Sequence, residues 1–127
     1  MIVWDKGLIG MGWKYRRSYE TVLVASKAGA SMRWYDASHR IENIIRHIPK
    51  LIPRAADHPT PKPTALPAHF IRLHTQEGDT VLDPFMGGGS TLLAARNLKR
   101  RAIGIELEEP YCEMAAKRLS QKVLDLA

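Results

Sequence analysis

Thr80-Val-Leu-Asp-Pro-Phe-Met-Gly-Gly-Gly-Ser-Thr-Leu-Leu-Ala-Ala95 is the stretch that decides the fold. Its first three residues are apolar and β-prone, which predicts a short buried strand. Three glycines at 87–89 predict a tight turn that leaves room for a ligand against the backbone. Ser90 and Thr91 are typical capping residues, so a helix is expected to begin there. Four residues give that helix an apolar face: Leu92, Leu93, Ala95 and Leu98.

A second strand is predicted directly after this helix, at Ala102-Ile-Gly-Ile-Glu106. It ends in an acid that lies 19 residues beyond Gly87. In an α/β unit this spacing places a carboxylate beside the glycine turn, where it can accept hydrogen bonds from both hydroxyls of a ribose. The N-terminus of the intervening helix favours an anionic group. The unit is therefore predicted to bind a nucleoside with an anionic end.

The residues around the glycines indicate which kind of nucleoside could bind. Leu92 stands where the dinucleotide-binding fingerprint has its third glycine, so that fingerprint is incomplete. The turn also lacks the lysine that a phosphate-binding loop requires. Asp83 precedes the turn, where a carboxylate would repel a pyrophosphate and attract an ammonium group. S-adenosylmethionine has an amino group, a carboxylate, a sulfonium and a ribose, and it fits these features. The alternative is an ordinary strand–turn–helix unit that binds no ligand.

Three elements resemble motifs of DNA methyltransferases that methylate N6 of adenine or N4 of cytosine. Asp83-Pro-Phe-Met-Gly-Gly-Gly-Ser-Thr91 is similar to their cofactor motif. His58-Pro-Thr-Pro-Lys-Pro63 resembles their H-P-T-x-K-P element, which also touches the cofactor. The segment from Ile2-Val-Trp-Asp-Lys6 through Tyr15-Arg16 to Glu20 resembles their W-D-K…G-x-x-Y-R…E segment near the target base. The elements occur in the order of the permuted (β-type) subgroup, in which the cofactor half follows the catalytic half.

The resemblance implies an α/β, Rossmann-like fold dependent on S-adenosylmethionine. It divides a single partial domain, 1–127, into a hairpin and basic DNA-facing segment at 1–57 and a cofactor-binding half at 58–127. The implied cofactor-binding residues are Asp83, Pro84, Phe85, Gly87, Gly89, Ser90, Thr91, Glu106, Thr60, Lys62 and Pro63. The implied DNA or base contacts are Trp13, Tyr15, Arg16 and Arg17. Aromatic rings interleaved with cations suit a flipped base and its flanking phosphates, although a basic surface loop would have the same composition.

The charge distribution supports double-stranded DNA as a partner. The 127 residues carry a formal charge of +6. Residues 1–62 hold 11 basic and 5 acidic side chains, whereas residues 63–127 hold 8 of each. The excess positive charge therefore lies wholly in the half that resembles the DNA-facing segment, as expected for contact with a phosphate backbone. A solvated basic surface is the alternative.

The remaining segments predict a small number of further elements. Residues 1–4 and Thr21–Ser26 are expected to form paired strands, and Ile44, Ile45 and Ile48 a short one. Leu66, Phe70 and Leu73 predict a helix that ends near Gly78. Pro110 fits the first position of a last helix. One apolar stripe of this helix contains Cys112, Ala115, Ala116, Leu119 and Val123. The single cysteine is therefore expected to be a core residue.

Several classes of site are not expected. His58, His69 and His74 lack the spacing of a metal site. One cysteine permits no disulfide within the chain, and neither a signal peptide nor an apolar run of membrane-spanning length is present in the printed sequence. We therefore expect a cytoplasmic protein, and the resemblance implies a prokaryotic cell or a phage genome as its source, as in restriction–modification systems.

One family motif is absent from the sequence. Amino-methylating enzymes use a D/N/S-P-P-Y/F/W motif to accept hydrogen bonds from the target amino group and to stack on the flipped base. No D-P-P-Y occurs here. Asp83-Pro-Phe85 looks similar, but it belongs to the glycine turn. The central strands of the sheet are accordingly expected to be missing, and a partner chain or a homodimer would complete the active site. The alternatives are an inactive or split fragment that binds cofactor or DNA, and a methyltransferase acting on RNA or protein. The residues indicate neither the base nor the recognition sequence.

Overall fold

The computed structural model describes residues 1–52 and 62–121, which form five strands and three helices. Their α/β composition confirms the predicted fold class. In chain order the elements are β1 (Ile2–Asp5), β2 (Tyr19–Val22), β3 (Ile44–Ile45), α1 (Ala65–His74), β4 (Thr80–Asp83), α2 (Ser90–Asn97), β5 (Arg101–Gly104) and α3 (Glu109–Ser120).

The N-terminal strands form a three-stranded sheet of order β2-β1-β3. Strands β1 and β2 pair antiparallel, from Ile2 opposite Val22 to Asp5 opposite Tyr19, while β3 pairs parallel to β1. The expected hairpin is therefore present. The predicted bounds of its second strand, Thr21–Ser26, are wrong, because pairing is limited by the four residues of β1 and ends at Val22.

Strands β4 and β5 form a separate parallel pair that places the glycine turn beside Glu106. Asp83, at the end of β4, lies opposite Gly104, at the end of β5. The prediction that this second strand extends to Glu106 is wrong. The Glu106 carboxylate turns back to accept hydrogen bonds from the backbone N–H groups of Leu107 and Glu108, which ends the extended conformation.

Helix α1 packs against both parts of the structure. Leu66 lies in a buried cluster with Trp4 and residues of the β3 region, and Ile71 lies in a second cluster with Ala94 and Ala95 of α2. The helix ends at His74, four residues before the predicted end. Thr75 is already extended, and its hydroxyl donates to the Ile71 carbonyl, so the last turn closes on a side chain.

The start of α2 is capped differently from the sequence prediction. Gly89 occupies the cap position in the left-handed conformation, with φ of +76°, and no side chain caps the helix. Ser90 is instead the first helical residue, and its hydroxyl donates to the Lys62 carbonyl at 2.8 Å. A Cβ on Gly89 would lie 2.8 Å from the Ala115 Cβ. The glycine therefore allows both the turn and the close packing of α3 on it.

Helix α3 begins at Glu109, one residue before the predicted first position, so Pro110 is its second residue. Its predicted apolar stripe is confirmed only in part. Ala115 is buried, and Cys112 and Leu119 are half-buried, but Ala116 is exposed. Val123 lies outside the described residues. Among the described elements, α3 has its main contact with α2, so only a narrow stripe of the helix is buried.

Candidate functional site

A cavity of about 500 Å³ lies between the glycine turn, the start of α1 and the β1–β2 hairpin. Its wall contains side chains of both charges together with an apolar part. The charged side chains are those of Glu20, Lys62, Asp83, Glu106 and Arg118. The apolar part is formed by Trp4, Val22, Leu66, Pro67, Phe70, Phe85 and Met86. Gly87, Gly88, Ser90 and Thr91 complete the wall.

The Glu106 carboxylate is held in this wall by three backbone N–H groups. Its Oε2 atom accepts from Gly87 at 2.9 Å. Its Oε1 atom accepts from Leu107 at 2.8 Å and from Glu108 at 3.1 Å. The first bond connects the segment after β5 to the turn after β4 across 19 residues, so the carboxylate lies beside the glycine turn as the spacing predicts. The carboxylate is thereby fixed in orientation.

Asp83 and Phe85 form the entrance to the glycine turn. The Asp83 Oδ1 atom accepts a hydrogen bond from the Phe85 N–H at 3.0 Å, which shapes the turn where β4 ends. The Phe85 side chain is 88% exposed although it lines the cavity. An exposed aromatic face beside a carboxylate suits a planar ring and a nearby cation.

Lys62 connects the turn to the hairpin. Its backbone carbonyl accepts from Ser90 at the start of α2, as described above. Its Nζ atom donates to the Glu20 Oε2 atom at 2.6 Å and lies 5.6 Å from the centre of the Trp4 ring. The ammonium group is therefore held in the cavity wall by a carboxylate and by an aromatic face.

Glu20 has a second cation as a neighbour. The Lys6 Nζ atom lies 3.5 Å from its Oε1 atom, and Lys6 is only 9% exposed. Burial alone would raise the pKa of Glu20, but the hydrogen bond from Lys62 and the charges of Lys62 and Lys6 outweigh it and lower that pKa. Glu20 is thus an ionised bridge between two lysines.

Arg118 brings the last helix into the site. Its Nη1 atom donates to the Gly88 carbonyl, across 30 residues of sequence. Together with the packing of Ala115 against Gly89, this bond fixes the glycine turn from the side of α3. The guanidinium group is half-buried and lines the cavity.

Most of the residues expected to bind the cofactor come together in this wall. Seven of them line the cavity: Asp83, Phe85, Gly87, Ser90, Thr91, Glu106 and Lys62. Gly89 supports the turn from behind, while Pro63 and Pro84 are absent from the lining. Thr60 and His58 lie outside the described residues.

The residues expected to contact DNA lie elsewhere, on the loop between β1 and β2. Trp13 is 85% exposed and Tyr15 is fully exposed, and neither lines the cavity. Arg16 donates from Nε to the Gly10 carbonyl at 2.8 Å, which ties the loop together. Arg17 is also exposed. The four side chains form an accessible basic and aromatic loop next to the hairpin.

Several wall residues were not predicted at the cofactor site, among them Trp4, Glu20 and Arg118. Glu20 was noted only as part of the segment near the target base. Arg118 carried one usable signal: it follows Ala115 by three residues, so it shares the face of α3 that meets the turn. The acceptor of its hydrogen bond is a backbone carbonyl, that of Gly88, which the pattern of side chains in a sequence does not reveal.

The part of the chain that the structure describes contains neither a metal-binding cluster nor a membrane-spanning helix. Across residues 1–52 and 62–121, no three His, Cys, Asp or Glu side chains are grouped so that they could hold a metal ion. The His69 ring instead packs edge-on against Phe70. None of the three described helices is long and apolar enough to cross a membrane.

Comparison with protein families and curated sequences identifies relatives of this chain. A family model described as DNA methylase matches residues 1–117. The type II methyltransferase M2.DpnII of Streptococcus pneumoniae is 49% identical over 65 residues, which are 51% of this chain and 24% of that protein. The type II methyltransferase M.HpaI of Haemophilus parainfluenzae is 45% identical over 65 residues, 51% of this chain and 21% of that protein. The matched stretch is thus about a quarter or less of each of these relatives.

Two solved structures show the same fold over 94% and 70% of this chain. The crystal structure of an M1.HpyAVI–SAM complex matches with a TM-score of 0.79 and 36% identity, covering 94% of this chain and 61% of that one. The cytosine-N4-specific PvuII DNA methyltransferase matches with a TM-score of 0.58 and 25% identity, covering 70% of this chain and 35% of that one. Both matches confirm the α/β methyltransferase fold.

Proposed function

Because the chain belongs to the N6/N4 DNA methylase family, we propose that it takes part in methyl transfer from S-adenosylmethionine to DNA. The acceptor is the exocyclic amino group of adenine (N6) or cytosine (N4), in a restriction–modification or phage system. The single observation that carries this proposal is the cavity at the glycine turn, where both charges and an apolar wall meet. The M1.HpyAVI relative, which matches 94% of this chain, was solved with S-adenosylmethionine.

The residues present fit this cofactor in charge and shape. The fixed Glu106 carboxylate suits the ribose hydroxyls, and the Asp83 carboxylate suits the ammonium group. Lys62 and the start of α2 suit the carboxylate end. When bound, the cofactor supplies an activated methyl group on a sulfonium. The chain's own contribution is to orient that group and to place charges around it, which is the main work of such sites.

DNA is proposed to meet the protein on the β1–β2 loop and the basic half at 1–62. Trp13 and Tyr15 would stack on bases, and Arg16 and Arg17 would pair with phosphates. The order of the three motifs supports the permuted subgroup. We place the DNA-facing segment at 1–57 and the cofactor half at 58–127 of one partial domain. A protein that methylates DNA is expected in the cytoplasm of a prokaryotic cell.

The groups that accept hydrogen bonds from the target amine are proposed to lie outside these 127 residues. The printed sequence contains no polar-Pro-Pro-aromatic motif, and the chain corresponds to 61% of the M1.HpyAVI structure. Central strands between the two observed sheets would carry such a motif, either on the same polypeptide or on a partner. A second candidate function follows from the same absence: binding of cofactor or DNA without turnover.

The experiment that tests the proposal has two measurements on the purified 127-residue chain. The first is binding of S-adenosylmethionine, and the second is transfer of its labelled methyl group to unmethylated duplex DNA, with RNA of the same sequence as the control. Incorporation into DNA would support a transferase whose amine-accepting groups lie within the 127 residues, and it would exclude the second candidate. Binding without incorporation is expected if those groups lie outside them, in the rest of the polypeptide or on a partner. A chain that binds no cofactor contradicts the proposed cofactor site.

A further inference from the structure

The hairpin and the glycine turn are joined by a continuous series of polar contacts that the resemblance does not account for. The Lys6 ammonium contacts Glu20, Glu20 accepts from Lys62, and the Lys62 carbonyl accepts from Ser90 at the start of α2. Each of these residues except Lys6 also lines the cavity. The Lys62 side chain is therefore anchored at its backbone by the turn and at its ammonium by the hairpin.

We propose that Glu20 is a positioning residue of the cofactor site, which holds the Lys62 ammonium where it meets the carboxylate of the cofactor. The inference rests on the proposed function, since it takes S-adenosylmethionine as the ligand of the cavity. It extends that function by assigning a role in cofactor binding to the segment expected to face the target base.

The geometry explains why a carboxylate is needed at position 20. A lysine side chain has many rotamers, and a freely moving Lys62 would lose that freedom when the ligand binds. The hydrogen bond of 2.6 Å to Glu20 and the Trp4 ring at 5.6 Å order the ammonium beforehand. Preorganisation of this kind raises affinity because less entropy is lost on binding.

The charge of Glu20 does not cancel the attraction of Lys62 for an anion. Its two oxygens contact two ammonium groups, so Lys6, Glu20 and Lys62 together carry a net charge of +1. Lys6 is the more buried of the two lysines, with a side chain 11% exposed, whereas that of Lys62 is 48% exposed. The more accessible ammonium is therefore the one that faces the cavity.

The test compares two ligands that differ in one group. S-adenosylmethionine has the α-carboxylate, and decarboxylated S-adenosylmethionine lacks it but keeps the ammonium and the sulfonium. Glu20→Gln is expected to weaken binding of the first ligand about two- to fivefold, the range of a partly exposed ion pair, and to leave the second unchanged. In a Lys62→Gln background the same substitution should have no further effect.

Two controls separate this role from general destabilisation. Glu77→Gln removes the acid of an exposed ion pair, Glu77–Lys99, whose residues do not line the cavity, and it should change neither affinity. Glu20→Gln also leaves the buried Lys6 without its acid, so the comparison is repeated in a Lys6→Met background, where that ammonium is absent.

The outcomes are distinct for the inference and for the function on which it rests. Equal loss for both ligands, tighter binding of S-adenosylmethionine, or a loss that persists in the Lys62→Gln background would overturn the positioning role. A wild-type chain that binds neither ligand would overturn the proposed function together with the inference. If the wild-type chain binds S-adenosylmethionine and the Glu20→Gln variant binds it equally tightly, the inference is overturned and the proposed function is not.

Discussion

The Glu106 carboxylate is held in the cavity wall by three backbone N–H groups. Its orientation is set before any ligand arrives, and it also joins the turn after β4 to the segment that follows β5. One residue thus serves both the turn and the proposed ribose contact. Substitutions there are expected to act on binding and on local structure together.

Glu106→Ala is expected to weaken binding of S-adenosylmethionine by roughly 1–3 kcal/mol, the range for lost hydrogen bonds to a charged group. Titration calorimetry measures the change. Glu106→Gln keeps one acceptor oxygen and should lose less. Glu108→Ala is the matched control, since Glu108 is exposed and its side chain does not line the cavity. An unchanged affinity in Glu106→Ala would remove this residue from the site.

At the residue scale, the sequence predicts the position of a side chain best where a known spacing within one strand–turn–helix–strand unit fixes it. The position of Glu106 follows from its spacing to the glycines, and the hydrogen bond to Gly87 confirms it. The capping role of Ser90 does not follow, because Gly89 takes the cap position with its backbone alone. The Glu20–Lys62 and Arg118–Gly88 contacts span 42 and 30 residues. Nothing local in the sequence pairs such partners.

The glycine turn and α3 form one structural unit at the scale of elements. Ala115 packs where a side chain on Gly89 would have to lie, and Arg118 donates to the carbonyl of the preceding residue. The turn is therefore fixed on one side by Glu106 and on the other by α3. The last helix contributes to the site although none of its residues was expected there.

Gly89→Ala is expected to reduce the free energy of unfolding by more than Gly29→Ala, as measured by urea denaturation. Gly89 and Gly29 have φ of +76° and +79°, so both substitutions share a left-handed backbone cost of roughly 1–2 kcal/mol. Only the Cβ at position 89 would meet Ala115, at 2.8 Å, which adds about 1–3 kcal/mol of overpacking. Equal losses would mean that α3 moves away at little cost.

Element types were more predictable than element ends. Strand β4 and helix α2 are predictable from the order of residues, because an apolar run, three glycines and an apolar helical face follow one another in the sequence. The end of β2 depends on β1, and the end of α1 depends on the conformation of Thr75. Such boundaries are set by a partner or by local backbone geometry, neither of which the periodicity of side chains reports.

At the scale of the whole molecule, the net charge is divided unevenly along the chain. All of the net positive charge belongs to residues 1–62, which include the exposed β1–β2 loop, whereas the acids of the cavity come mainly from the second half. The sequence alone predicts this division, because it depends only on counting charges. The packing of α1 against both clusters, which joins the halves, required the structure.

Duplex DNA affinity is expected to fall steeply with salt, with a slope of about −0.9 in log affinity against log salt for each phosphate contacted. The double variant Arg16→Gln/Arg17→Gln should reduce the magnitude of that slope by about two. Lys99→Gln is the matched control, since this exposed lysine pairs with Glu77 in the other half. Fluorescence anisotropy at a series of salt concentrations gives the slopes. A flat salt response in the wild-type chain would exclude phosphate contact by the basic half.

The buried indole of Trp4 has a spectroscopic consequence. It is 1% exposed, donates to the Ile48 carbonyl at 2.6 Å, and has the Lys62 ammonium over its ring, whereas Trp13 and Trp34 are open to solvent. A soluble quencher such as iodide would suppress the emission of the two exposed indoles and spare the third. The fluorescence that remains belongs to the cavity wall, and its wavelength depends on the electric field of the nearby ammonium. The chain thus has an intrinsic optical probe of events in its own cavity.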